Sequence, residues 1–279
     1  MTGLTRILAG AMLVALQVLI AQAACAKDFR VFTAIQDAST GSDAKPGPVI
    51  ARTVTIFHAG KVYDYIESAD SAEIIVFEPT QRRFRILNPS RGMVATAAFD
   101  EIKQKLGVAL EETAREVRVL SATEPERAKL VEMLTFQLSP QFETKFNKES
   151  LVLELNAEPI SYHLETVRPE HPEIVSAYLD YADWVCRLNY VLSIGQILPE
   201  PRLALNRALR DRKVLPKTVV LKARTRPAVQ LRAEHTFHLD LNSNERRWIH
   251  QWESLLNSKT IRHVTLQEYQ QEVLTAQAP

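Results

Sequence analysis

The sequence predicts an α+β fold: an antiparallel meander, curled toward a half-barrel and packed on helices, with a long central helix over about residues 172–193. Two observations carry this. From Val49 to Ala97, apolar and polar residues alternate in short runs rich in Val, Ile, Thr, Phe and Tyr, and turn residues end each run, as in hairpin-connected strands. From Phe99 onward the spacing changes to that of amphipathic helices, most strongly at Pro172–Ser193. No linker, repeat or low-complexity tract divides residues 49–279, which read as one domain, with a split near residue 140 as the alternative.

Five strands are expected in the meander: Ile50–His58, Lys61–Glu67, Ala72–Glu78, Arg82–Asn88 and Met93–Ala97. Alternation sets Val54 and Ile56 on one face and Thr53, Thr55 and Phe57 on the other, and it separates Tyr63 and Tyr65 from Val62 and Ile66. Both faces carry apolar residues. Such a sheet is covered on both sides, or it curls and holds something against its concave face.

Helical spacing then runs over Phe99–Leu120, with Gly107 as its weakest point. A second helix is expected over Glu124–Leu138, capped by Thr123 with Pro125 in the first turn. Leu151–Leu155 and Ile160–Val167 read as a hairpin. In the segment Pro172–Ser193 the apolar arc spans roughly 140°, wider than a surface helix needs. Leu179, Cys186 and Tyr190 lie behind it beside Asp183 and Arg187, so this helix is expected to be contacted from two sides. Asp183 and Arg187 stand at the i,i+4 spacing of an ion pair. A helix at Pro201–Arg212, strands at Thr218–Ala223 and Gln230–Leu241, and helices near Asn244–Leu256 and Thr265–Ala276 complete the chain.

Residues 1–26 have the form of a secretory signal peptide: Arg6, an apolar run from Ile7 to Ala24, and small residues at Ala21, Ala23, Ala24 and Ala26. The expectation is cleavage near residue 26 and a periplasmic or secreted product, touching membrane only through this segment if it is retained. An uncleaved anchor and a lipidated Cys25 are the rival readings. Residues 27–48, with the polar stretch Asp37–Pro48, read as a flexible lead-in. Removal of residues 1–26 leaves 33 basic and 33 acidic residues, so no global field steers the protein to nucleic acid. Cys186 is then the only thiol and reads as a small buried hydrophobe.

No G-x-G-x-x-G or G-x-x-x-x-G-K-[ST] cradle is present, so neither a nucleotide nor another cofactor is expected. H-E-x-x-H and G-x-S-x-G are missing as well, which points away from the motif-bearing hydrolases. His235, His238 and Asp240 form the densest group of possible ligands. In a strand His235 faces away from the other two, so no metal site is expected. His238, Asp240 and Asp183 are the candidate acid/base residues if the protein is an enzyme. Asp180 and Asp183 read more simply as parts of a structural ion-pair network. Charge is most uneven between Glu200 and Arg232, where ten basic residues face two acids. Arg202, Arg207, Arg210, Arg224 and Arg226 are the candidate surface for an anionic partner, against the plainer reading of a solvated face.

The export signal, the meander with Gly60–Tyr63 and Glu78–Phe84 at its turns, and the helices after it give residues 49–140 a resemblance to periplasmic lipoprotein carriers. That resemblance implies an incomplete barrel, lined with apolar and aromatic side chains, that wraps helices and holds acyl chains. The segment Tyr181–Asn189 (YADWVCRLN) followed by Pro199–Arg202 resembles instead a family of uncharacterised exported bacterial proteins, which implies only an exported α+β product.

Three functions follow as expectations. The first is a non-catalytic envelope protein that binds a lipid, an acyl chain or an envelope protein partner. Its candidate ligand contacts are Phe57, Tyr63, Tyr65, Phe77 and Phe84, each of which, taken alone, reads more simply as core. The second is an envelope hydrolase without a linear motif. The third is an assembly protein acting through its basic surface.

Overall fold

The computed structural model describes residues 27–39, 47–68, 72–192, 197–225 and 227–277. The expected signal segment over residues 1–26, most of Asp37–Pro48 and Arg226 therefore lie outside the described residues. The fold is α+β: twelve strands form one open, mostly antiparallel sheet, accompanied by six α-helices among the described residues.

The meander forms as its alternation dictates. Strands β2 (Val49–His58), β3 (Lys61–Ser68), β4 (Ala72–Glu78), β5 (Arg83–Asn88) and β6 (Met93–Ala98) pair in sequence. Two of its turns share one solution. Pro79–Gln81 and Pro89–Arg91 are single 3-10 turns with proline in the first turn, and they end in the left-handed conformation at Arg82 (φ 51°) and Gly92 (φ 59°).

Strand β1 (Phe29–Asp37) is a correction to the lead-in expected over residues 27–48. It sits mid-sheet, pairing with β2 on one side and with β11 (Val229–His238) on the other. Phe29 and Val31 are fully buried, and Phe29 stacks on Phe57 with ring centroids 4.0 Å apart. Beyond β11 come β10 (Leu215–Ala223), β9 (Ile160–Val167), β8 (Val152–Asn156) and the edge strand β7 (Glu143–Asn147). At the other edge β12 (Arg262–Thr265) pairs parallel with β6.

Helix α1 (Phe99–Thr123) runs unbroken through Gly107, because burial of Phe99, Ile102 and Leu106 outweighs the roughly 1 kcal/mol that a glycine costs in a helix. It also extends through Thr123, whose hydroxyl bonds back to the Val119 carbonyl. Thr123 is therefore a helical residue and not the cap of the next helix. After a 3-10 turn at Pro125–Arg127, α2 (Ala128–Leu138) begins without a side-chain cap.

Both faces of the sheet are covered over the meander, whereas the outward residues of β9 stay exposed. On the inner face, α1, α3 (Glu173–Leu192) and α4 (Glu200–Arg212) pack on Phe57, Val62, Ile75, Phe77, Phe84 and Ile86. On the outer face, α5 (Ser243–Leu256) packs Ile249, Trp252 and Leu256 on Ile56, Tyr63, Ile74, Val76 and Leu87. Helix α6 (Leu266–Gln277) follows β12 and buries Leu266 and Tyr269. No helix among the described residues is long and apolar enough to cross a membrane.

Candidate functional site

A cavity of about 840 Å³ lies between the inner face of β3, β2, β1, β11, β10 and β9 and the helices α3 and α4. Strand parity makes its floor: Thr33 and Ile35 of β1, Thr53 and Thr55 of β2, and Ala233 and His235 of β11 all point inward. Across the void, α3 presents Tyr178, Tyr181 and Val185. Asn189 and Pro227, both exposed, stand at its rim, so the cavity reaches solvent.

Polar side chains are set among the apolar ones of the lining. Asp64 of β3 is buried and accepts hydrogen bonds from the Thr55 hydroxyl (2.8 Å) and the Tyr181 hydroxyl (2.7 Å), tying α3 to the sheet. Burial raises the Asp64 carboxyl above its ordinary value, and those two bonds offset only part of the effect. His235 Nδ1 lies 3.0 Å from the Thr33 hydroxyl, and its Nε2 has no hydrogen-bond partner among the described residues. Burial, with the nearby charge of Arg202, lowers the His235 pKa to about 3, so the ring is neutral at physiological pH. Burial also pushes Tyr162 to about 12 and Cys186 to about 11, so both stay protonated and the cysteine is a poor nucleophile.

Arg202 brings the lining its full positive charge. Its Nε donates to Asn206 (3.1 Å), which is itself buried and bonded to Asp183, and it lies beside the Tyr178 hydroxyl. No carboxylate among the described residues pairs with Arg202.

The five aromatics expected to contact a ligand lie elsewhere. Tyr63 and Tyr65 are on the outer face, stacked against Trp252 at 6.4 and 6.1 Å. Phe84 is fully buried between Phe77 and Phe99. Phe57 and Phe77 line a second pocket of about 730 Å³, where Trp184 stacks on Phe99 at 3.7 Å with Lys103 and Arg187 over its ring. Tyr181 stands between the two pockets, its ring against Phe57 and Phe77 and its hydroxyl on Asp64.

The acid/base candidates do not converge. His238 faces outward, edge-on to Phe32 at 5.4 Å, and the Asp240 carboxylate is exposed beside Arg30 at 3.7 Å. Asp183 lies on α3 across the sheet, so His238 and Asp183 share no cleft. The expected Asp183–Arg187 ion pair is also corrected. Arg210 of α4 pairs with Asp183 (2.9 Å) and Asp180 (3.1 Å), while Arg187 reaches only the Asp183 backbone carbonyl. Among the described residues, no group of three or more His, Cys, Asp or Glu side chains is placed to hold a metal ion.

The basic run is dispersed in the same way. Arg202 turns into the cavity, Arg210 is paired on α3, Arg224 pairs with Glu158, and Arg207 is exposed. Arg226 is outside the described residues.

Comparison with known proteins finds no family model that matches the chain and no curated protein that matches it.

Proposed function

We propose that the protein is an exported, non-catalytic binding protein that carries a hydrophobic ligand in the cavity on the inner face of its sheet. The observation that carries this reading is a void of about 840 Å³ where strands from both halves of the sheet and two helices converge. Its size falls within the ~300–1,000 Å³ range of small-molecule sites, and its mix of apolar walls with a few placed polar groups is what such sites use. The high pKa of Cys186, the neutral His235 and the separation of His238 from Asp183 give no activated nucleophile or acid/base pair at the cavity. The export signal supplies the compartment, in which a partner could load or unload the ligand.

Native mass spectrometry of the protein recovered from the envelope of an exporting host tests this, with solvent extraction of anything retained. A discrete added mass that extracts as lipid is expected. A clean protein mass, together with no added mass after incubation with lipid vesicles, would contradict it.

A further inference from the structure

A purely apolar carrier would have no use for a cation in its cavity wall. Arg202 lies there with its Nε held by Asn206 and its guanidinium against the Tyr178 hydroxyl, contacts that leave others of its five N–H donors for a ligand. Asn206 is fully buried and fixed in turn by Asp183, so the orientation of Arg202 is built into the α3–α4 contact. Lining the same cavity, His235 has an Nε2 without a partner, although its Nδ1 is engaged by Thr33. When the Thr33 hydroxyl donates to Nδ1, Nε2 carries the proton and becomes a second donor. No carboxylate among the described residues pairs with Arg202, and burial pushes the carboxyl of Asp64, which shares the lining, above its ordinary value.

We propose that the cavity selects single-chain amphiphiles with an anionic headgroup, carboxylate or phosphate, held by Arg202 and His235 while the chain lies along the apolar residues of the floor formed by β1, β2 and β11. The inference rests on the cavity being a hydrophobic binding site, and it adds the charge of the ligand. A guanidinium with free N–H donors suits either headgroup, because it can meet two oxygens at once. The sheet supplies surface for the chain at Ile35, Ala51 and Leu231.

Calorimetric titration of the full exported chain with decanoate, decyl phosphate and decan-1-ol tests both levels separately. At least one of the two anions is expected to bind about tenfold or more tightly than the alcohol, the scale of one charge-assisted contact, and the tighter anion identifies the headgroup. Arg202→Met should cost the anions about tenfold more than it costs the alcohol, removing the preference of the unaltered protein, and Arg202→Lys should keep part of that preference. Equal binding of all three by the unaltered protein would overturn the headgroup proposal and leave the hydrophobic site standing. The headgroup proposal falls in the same way if Arg202→Met weakens the alcohol as much as the anions. Binding of none of the three would remove both readings. The comparison within the unaltered protein decides the matter even if Arg202→Met does not fold.

Discussion

The two faces of the sheet are built from the same strands and finished in opposite ways. On the outer face, α5 closes the surface. Trp252 stacks on Tyr63 and Tyr65, and beside it Glu78 and Glu253 share Lys61 and Arg85, with Arg83 and the Tyr63 hydroxyl completing their bonds. Glu78 is only 2% exposed, yet it bonds to Lys61 at 2.9 Å, Arg83 at 2.7 Å and Arg85 at 3.2 Å. On the inner face, α3 and α4 seal one part of the sheet and bridge over a void in another, and there Arg202 and the His235 Nε2 lack protein partners that would neutralise or satisfy them. Dense packing and shared ion pairs mark a face made for stability, although Arg85 Nε there has no partner among the described residues. A void lined by a cation without a carboxylate partner marks a face left open for something else.

The largest effect should come from breaking the outer cluster. Glu78→Ala leaves Lys61, Arg83 and the nearly buried Arg85 with Glu253 as their remaining acid in the cluster, and the expected loss is about 3–5 kcal/mol in urea unfolding. Next comes a matched pair of enlargements. Val76→Phe on the filled outer face should cost about 1–3 kcal/mol through overpacking. Ala233→Leu faces the void and should cost less than about 0.5 kcal/mol, since surrounding space accepts the added methyls. If both enlargements cost the same, the two faces are packed alike and the contrast fails.

The faces should also differ in the sign of their pH dependence. Burial alone would raise the carboxyls of Glu78 and Glu253, but Lys61 and its neighbours outweigh it and hold both below their ordinary value of 4.5. The folded state then binds fewer protons than the unfolded one, so stability from this cluster is present above that value and is lost as pH falls through the folded pKa. Asp64 behaves oppositely. Its folded pKa lies above its ordinary 3.8, so its contribution is present in acid and is lost as pH rises through the folded value. Chemical denaturation across pH should therefore show a shallower acid decline in Glu78→Gln, and in Asp64→Asn a smaller loss of stability on leaving acid.

A turn that touches neither face provides a baseline. Gly92→Ala meets no steric neighbour but must hold φ near 59°, and about 1 kcal/mol is expected from the backbone alone.

The meander was legible because its signals are local: period-two alternation and turn residues every few positions. The same alternation runs through Phe29, Val31, Thr33 and Ile35 in β1, but the polar stretch that follows drew residues 27–48 into a single loop reading. Strands β7 and β12 were missed for a different reason. One is a five-residue edge strand with mostly exposed side chains and the other a four-residue parallel strand, so neither carries an apolar period. The site was far less legible. Alternation correctly turned His235 away from His238, but it could not supply Thr33 as the partner of His235, a contact made between residues 202 positions apart. Arg202 stood in a run of ten basic residues, and nothing local distinguishes the one that α4 turns inward from those it turns to solvent.

The central claim is that the inner void accepts an apolar guest while the outer face does not. Fluorescence titration with the neutral lipophile N-phenyl-1-naphthylamine tests it most directly, on the unaltered protein and on Ala182→Trp, which fills the void from α3. The account predicts saturable uptake at one site, reduced at least tenfold by that substitution and unchanged by Leu255→Ala, on the exposed side of α5. Absence of saturable uptake, or uptake indifferent to Ala182→Trp, would contradict it.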